Sequence, residues 1–408
     1  MEVLFDRCCG LDVHKKEVLA CVITPGGKKT RTFHTMTDDL LELADWLTEE
    51  QVTHVAMEST GPYWKPIYNL LENEFTLILG NAQHIKIVPG RKTDVKDAEW
   101  IADLLRHGLI KGSFVPDRAQ RELRELLRYR RSLIQEHTRE ANRIQKVLEG
   151  ANIKLGSVAS DILGVSGRAM LRAIADGVDD PKAIAGLAKG RLREKQDELE
   201  KALKGLVGSH QRIVIACQLE HLVFLEGQID KLDKEIADRM SPLQSQIDAA
   251  DSIPGIDVRT AQDILGEIGT DMNQFPDASH LASWAGVSPG NNRSAGKRRS
   301  GRTMHGNRWL KAALVLAARA ATRSKGNYLN SQYHRLAARR GDKKAILAVA
   351  HSILVMLYTM LKKGQVYQEL GPDYFEKRNS NATVRRAVQR IEQLGFKVTV
   401  EVIQPSFS

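Results

Sequence analysis

Asp94 and Asp97 stand three apart in the segment GRKTDVKDAEWIADLL, residues 90–105, directly after Arg91 and Lys92. The spacing predicts a helix with both acids on one face. Two readings of them are open. Acids in a first helical turn are favoured by the helix dipole alone, and two carboxylates on one face can equally be half of a cation site. Two further acids sit where apolar strands are predicted. Asp12 lies in GLDVH between Leu11 and Val13, and Glu58 ends the strand that begins near Val52, in VAMESTGPYW. A lone carboxylate on such a strand is costly unless it pairs or binds a cation. The plain alternatives are Asp12 as a strand-edge residue and Glu58 paired with Lys15 or Lys65. Taken together, two strand acids and two helix acids form a candidate Mg²⁺ set, because hard cations take oxygen ligands. Two such ions about 4 Å apart would clamp the attacking and leaving oxygens of a phosphodiester.

A second feature is electrostatic. From Ala278 through Gly341 there is no Asp or Glu, while thirteen Lys or Arg occur. A charge run is usually a solvated face, but a stretch this long without counter-charge suits a phosphate backbone bound by counterion release. Within it lies the polar, Gly- and Ser-rich loop SPGNNRSAGKRRSGRTMHGN, which carries Ser288, Ser294 and Ser300. A serine hydroxyl is a poor nucleophile without a base or metal to activate it, so on residue types alone each of the three reads as a phosphate hydrogen-bonder.

The elements that must position these groups can be read from pattern. Residues 8–112 are α/β. Apolar segments flank the turn TPGGK, DDLLELADWLTEE has helical spacing, VTHVAMES is a strand, WKPIYNLLENE a helix and FTLILGN a strand. This order predicts a mixed sheet flanked by helices. From Asp117 to Gly150 the chain is highly charged, with apolar residues at Leu123, Leu126, Leu133, Ile144 and Leu148. A second run has Leu222, Leu225, Ile229, Leu232 and Ile236 at steps of three and four, the heptad spacing of a coiled coil. Both runs fit either a helical hairpin that only spaces other parts or a dimerisation arm. Residues 151–202 read as short helices inserted at the hairpin tip. SIPGI, residues 252–256, reads as an apolar turn between helices. Such a turn resembles a helix-hairpin-helix, whose backbone N–H groups can hold a phosphate, and a plain helix–turn–helix connection explains it equally. The tail from 365 to 408 returns to mixed charge.

The chain has 408 residues and a formal net charge of +10. This length allows two or three domains, and the charge points to a polyanionic partner, nucleic acid before membrane. Cys8, Cys9, Cys21 and Cys217 form no CxxC pair, which argues against zinc ribbons and a secreted disulfide framework. The start, MEVLFDRCCGLDV, lacks the pattern of a signal peptide. AILAVAHSILVMLYTML is short for a membrane span and contains His351 and Ser352, so it reads as a buried helix. The expectation is a soluble chain of a reducing, cytoplasmic compartment, with no membrane partner.

A first-strand Asp, a Glu ending a later strand and a D-x-x-D helix resemble the RNase H/RuvC-like nuclease fold. Five motifs, GLDVHKK, MESTGPYW, RKTDVKDAEWIADLL, SIPGI and ASWAGVSPGNNRSAGKRRSGR, occur in that order across residues 8 to about 362. Together they resemble the DEDD-type insertion-sequence transposases, the recombinase family guided by a bridge RNA. The resemblance implies an α/β RNase H/RuvC-like domain at 1–115 and an α-helical coiled-coil arm at 116–250, with the insertion at about 151–202. It further implies a mainly α-helical C-terminal transposase domain at 251–364 with the helix-hairpin-helix-like motif. The insertion and the peripheral tail, 365–408, have no counterpart in the family pattern. By resemblance, Asp12, Glu58, Asp94 and Asp97 hold Mg²⁺. Ser294 is the nucleophile that forms a phosphoserine link to DNA, with Ser300 the alternate because the loop length after SPG can vary. Arg91, Lys92, Arg293, Lys297, Arg298, Arg299, Arg302 and Arg308 bind nucleic acid, and His14 is a variable neighbour of the first acid. The implied partners are donor and target DNA, a structured non-coding bridge RNA, and copies of the chain as dimers assembling to tetramers in a prokaryotic nucleoid. Two competing expectations remain: a RuvC-like structure-specific nuclease using metal-activated water, and a non-enzymatic nucleic-acid scaffold.

Overall fold

The computed structural model describes residues 2–59, 61–81, 85, 97–289, 292–294, 297–300, 303, 306–378 and 380–401. The chain divides into two units, Met1–Arg118 and Ala119–Ser408.

In the first unit alternating side chains fix a five-stranded sheet. Strands β1 (Cys8–Val13), β2 (Glu17–Thr24) and β3 (Gly27–His34) form an antiparallel meander, and β4 (His54–Glu58) and β5 (Thr76–Gly80) add in parallel, giving the order β3-β2-β1-β4-β5. The parallel pairs need crossovers, supplied by helices α1 (Thr37–Glu49) and α2 (Trp64–Leu71). On one face Cys9, Leu11, Val55 and Met57 pack against Leu43, Leu47, Ile67 and Leu71. The residues between them in sequence turn the other way: Cys8, Cys21 and Ala56 pack against Ala98, Ile101, Ala102 and Leu105 of helix α3 (Asp97–Arg106). Gly10 makes this second layer possible, since a Cβ there would lie 2.3 Å from the Ala98 carbonyl oxygen and the Ala102 nitrogen.

The second unit is helical. Helices α4 (Arg118–Gly150) and α5 (Ser209–Met240) are 33 and 32 residues long and lie antiparallel. Their pairings step in opposite senses along the two helices, from Glu122–Arg239 through Arg130–Asp233 and His137–Glu226 to Glu140–His221, around Leu133, Leu225 and Ile229. The heptad residues of α5 therefore have a partner within the same chain. Residues 151–203 form a packed cap at the far end, where Leu155, Met170, Leu171 and Leu199 close over Ile144, Leu148, Ile215 and Leu219.

Beyond α5, helices α6 (Gln244–Asp251), α7 (Val258–Ile268), α8 (Ala278–Trp284), α9 (Arg308–Arg323) and α10 (Tyr328–Arg340) surround α11 (Asp342–Lys363). By length and apolar composition α11 would suffice to cross a membrane, yet Ala345, Val349, Ala350, Ile353, Leu354 and Leu357 are buried, as in a core helix. The turn SIPGI joins α6 to α7. Gly255 within it adopts φ +89°, and a Cβ there would meet the backbone of Ala317 and Ala321 in α9, so close helix packing explains the glycine. Asp257 caps α7, its carboxylate accepting from the Thr260 N–H at 2.8 Å, which places a negative charge where a phosphate would otherwise be held. The start of the tail is docked rather than loose: Tyr328 stacks on Phe375, and the Ser331 hydroxyl donates to the Pro372 carbonyl.

Candidate active site

Parallel pairing of β1 with β4 matches Leu11 to Met57, and the next step outward brings Asp12 beside Glu58 at the carboxyl ends of the two strands. Adjacent strands run about 4.8 Å apart. Both acids point to the α3 face, because Asp12 follows Gly10 and Glu58 follows Ala56 by two residues. Helix α3 runs antiparallel to β1: Gly10 meets Ala98 and Ala102, Cys8 lies near the Ala102 carbonyl, and the N–H groups of Leu4 and Phe5 donate to the Arg106 carbonyl. Asp97, the first residue of α3, therefore lies at the same end of the sheet as the two strand acids, at a helix N-terminus that favours negative charge.

Asp12 and Glu58 are half-buried and Asp97 is exposed. All three offer only carboxylate oxygens, the donor type a hard divalent cation takes, so the set fits Mg²⁺ in kind. Among the described residues no three His, Cys, Asp or Glu side chains are grouped as closely as an ion's ligands. Asp94, Arg91 and Lys92 lie outside the described residues. His14 is a neighbour the sequence reading set aside. Its Nε2 stands 3.2 Å from Asp12 Oδ2, and the signal for it was available, since residues two apart on a strand share a face.

The basic segment is not simply a loop. Strands β6 (Asn292–Ser294) and β7 (Lys297–Ser300) pair antiparallel, matching Ser294 to Lys297, Arg293 to Arg298 and Asn292 to Ser300, with a register shift at Asn292/Arg293. The backbone thus separates the two candidate nucleophiles: Ser294 is at the turn end of the hairpin and Ser300 at its root. Arg299 lies within β7, and Arg302 lies outside the described residues. Arg308 is exposed at the first turn of α9, its guanidinium 5.0 Å from the centre of the Trp309 ring.

The hairpin root is tightly fixed. Pro289 bridges to Thr303, a Cβ on Gly306 would lie 2.4 Å from the Gly286 nitrogen, and the Asn307 N–H donates to the Trp284 carbonyl at 3.0 Å. Asn307 also caps α9, accepting from the N–H groups of Trp309 and Leu310. Its side-chain amide donates to Glu267 at 2.6 Å.

Glu267 is 4% exposed and takes a two-pronged bond from Arg128 at 2.7 and 2.8 Å. Arg124 donates to the Gly266 carbonyl at 3.1 Å and to that of Glu267. One turn earlier in α7, Gln262 and Asp263 accept from the fully buried Arg130, which also bonds Asp233 of α5. Burial pushes the Asp263 carboxyl above its usual range although Arg130 opposes the shift. Sequence reasoning missed this frame because the arginines of RELRELLRYRR look like a solvated face.

A mixed sheet carrying acids at its strand ends, with a helical unit that holds a clamped basic hairpin, fits the class of enzymes that act on nucleic-acid strands. Residues 9–153 match the DEDD transposase domain of the IS110 group, and residues 248–334 match the transposase family IS116/IS110/IS902. Together the two matches cover more than half of the chain. An insertion element IS110 protein of 43.6 kDa from Streptomyces coelicolor is 29% identical over 70% of this chain and 75% of its own length. An insertion element IS900 protein of 42 kDa from Mycobacterium paratuberculosis is 28% identical, over 71% and 80%. The chain belongs to the IS110 family of insertion-sequence transposases, enzymes that catalyse DNA strand transfer.

Proposed function

We propose that this transposase is an RNA-guided, Mg²⁺-dependent recombinase that cuts and rejoins DNA through Ser294. The observation that supports the metal half is that Asp12, Glu58 and Asp97 share one end of the sheet on its α3 side; Asp94 completes the set by sequence. When bound there, Mg²⁺ supplies charge neutralisation at the scissile phosphate and a lowered pKa for the attacking oxygen. The carboxylates orient that charge, and His14 holds Asp12 in register. Arg293, Lys297, Arg298 and Arg299 neutralise phosphates around the cut.

In this reading the Ser294 hydroxyl attacks the phosphorus, the 3′-oxygen of the cut strand leaves, and the phosphoserine bond conserves the energy for rejoining. Position at the turn end of a rigidly rooted hairpin favours Ser294 over Ser300 as the group presented to a strand. The acids and the serine belong to different units of the chain, and the family resemblance implies that the site is completed between copies, as dimers and tetramers, on donor and target DNA. Target choice rests on base pairing with a bridge RNA, and the enzyme works in the cytoplasm on the chromosome.

The test is recombination by purified protein with the transcript encoded beside it, with and without Mg²⁺. Ser294→Ala loses both strand exchange and the covalent protein–DNA adduct, while Ser300→Ala keeps the adduct. Cleavage retained in Ser294→Ala would instead establish a nuclease using metal-activated water.

A further inference from the structure

A cavity of about 510 Å³ opens in the first unit between the β2–β3 turn and α3, where Lys28, Glu99, Trp100, Asp103 and Arg106 line it together with Pro25 and its neighbours in the turn. It lies in the size range of small-ligand pockets, about 300–1,000 Å³. It is not the acid site. The β2–β3 turn lies beside the Cys8 end of β1, where Cys8 pairs with Ile23, whereas Asp12 pairs with Leu19 at the opposite end. At about 3.3 Å per residue the turn wall lies roughly four strand residues from Asp12, while the helix wall starts at Glu99 and Trp100, within one turn of Asp97.

Three observations define what the cavity would take. Trp100 supplies an indole wall, the surface on which bases stack. Arg106 lines the cavity, and its Nε is buried with no hydrogen-bond partner, so the guanidinium is not fully satisfied by the protein. The lining charges cancel, Lys28 and Arg106 against Glu99 and Asp103, and Lys28 is already held by Glu99 at 2.8 Å. A neutral lining disfavours a phosphate as the anchor. It favours a planar heterocycle with an acceptor edge for a guanidinium and donors for a carboxylate. Guanine has both: O6 and N7 for Arg106, and N1–H and N2–H for Asp103. Adenine lacks the paired acceptors.

The geometry points to a pocket for an unpaired guanine of a DNA strand, stacked on Trp100 and read by Arg106 and Asp103, beside the β2–β3 turn and away from Asp12. It rests on DNA being the substrate and goes beyond the cutting chemistry, because it gives the first unit a base-specific contact of its own.

The test is fluorescence anisotropy of the full-length protein, without Mg²⁺, on labelled oligothymidylate carrying one central guanine, adenine or no purine. The guanine strand binds about ten-fold tighter than the other two, the scale of one good guanidinium–guanine contact. Trp100→Ala and Arg106→Gln reduce it to the level of plain oligothymidylate without changing the latter. Trp100→Phe, which keeps a stacking face, retains most of the preference, and circular dichroism confirms that each variant is folded. Guanosine monophosphate competes only weakly for the strand. Equal binding of all three strands overturns the pocket and leaves DNA binding standing; failure to bind any strand overturns both. A guanine mononucleotide that binds tightly, with no strand preference, assigns the cavity to a free nucleotide and overturns the DNA contact.

Discussion

Removing Glu267 should loosen the root of the basic hairpin before it loosens anything else. The carboxylate accepts two bonds from Arg128 and one from Asn307. Breaking a buried pair by deleting one partner costs about 3–5 kcal/mol. Here the low end applies, because the Arg128 side chain is 33% exposed and water can reach it, and because Arg124 keeps its bonds to backbone carbonyls. About 3 kcal/mol is on the order of 100-fold in a local opening equilibrium. Whole-chain melting is the wrong readout for a chain of two units. Amide exchange followed by mass spectrometry is the right one, read at 284–288 and 306–312 against the core helix α11 as internal reference. In Glu267→Ala these segments exchange on the order of 100-fold faster while α11 is unchanged. Glu267→Gln keeps a neutral acceptor and shows about ten-fold, the value of one lost charge-assisted bond. Equal exchange in wild type and Glu267→Ala, or acceleration spread evenly through α11, would refute the view that Glu267 fixes the hairpin.

Three other outcomes follow from the same geometry. Gly10→Ala puts a Cβ 2.3 Å from backbone atoms of Ala98 and Ala102, so α3 must shift. The strain is about 1–3 kcal/mol or more, and Mg²⁺ affinity measured by calorimetry falls at least ten-fold while circular dichroism still reports the sheet. Replacing Lys297, Arg298 and Arg299 together by Gln lowers the slope of log affinity for DNA against log salt by about 2–3, from about 0.7–0.9 per neutralised phosphate. In the arm, the Arg168 guanidinium beside Glu226 holds its carboxyl below the ordinary 4.5, with His137 adding to the effect against burial. A depressed carboxylate stabilises the fold above its unfolded pKa and loses that contribution as pH falls through the lower folded value. Protection at 165–175, taken relative to the intrinsic exchange rate at each pH, therefore falls below about pH 4.5 in the wild type, and Glu226→Gln flattens that fall.

How much of this was legible in the chain varies with the kind of signal. The strand acids were readable because a carboxylate between Leu11 and Val13 violates the apolar pattern of its own strand, and the alternation that exposes the violation also sets its face. The parallel neighbourhood of Asp12 and Glu58 was not readable, since it depends on which strands pair. His14 was passed over although it follows Asp12 by two. The hairpin at 292–300 was hidden by its composition: NNRSAGKRRS has no apolar alternation, and its strands are held by the clamp at Gly286, Gly306 and Asn307 rather than by side-chain pattern. The heptads of α5 were legible as a spacing, but that spacing is satisfied along its inner face by α4 of the same chain, which the period alone does not decide.

The arginines of α4 sharpen the rule for reading charge. Arg124, Arg128 and Arg131 recur at steps of four and three, so they share a face, and Arg130 sits at its edge. On a solvated helix such spacing has no consequence. It acquires one when another segment carries acids at the matching interval, as α7 does with Asp263 and Glu267, four apart in VRTAQDILGEI. Each helix then presents a charged stripe that cannot be buried against apolar surface but can be buried against its complement, and Arg128–Glu267 and Arg130–Asp263 are the result. The burial is worth its desolvation cost only where geometry must be fixed, because replacing such pairs by apolar residues is often neutral or stabilising. The Arg128–Glu267 pair in turn holds Asn307, the cap that follows the hairpin bearing Ser294. The charged run of α4 is therefore part of what holds the root of the basic hairpin.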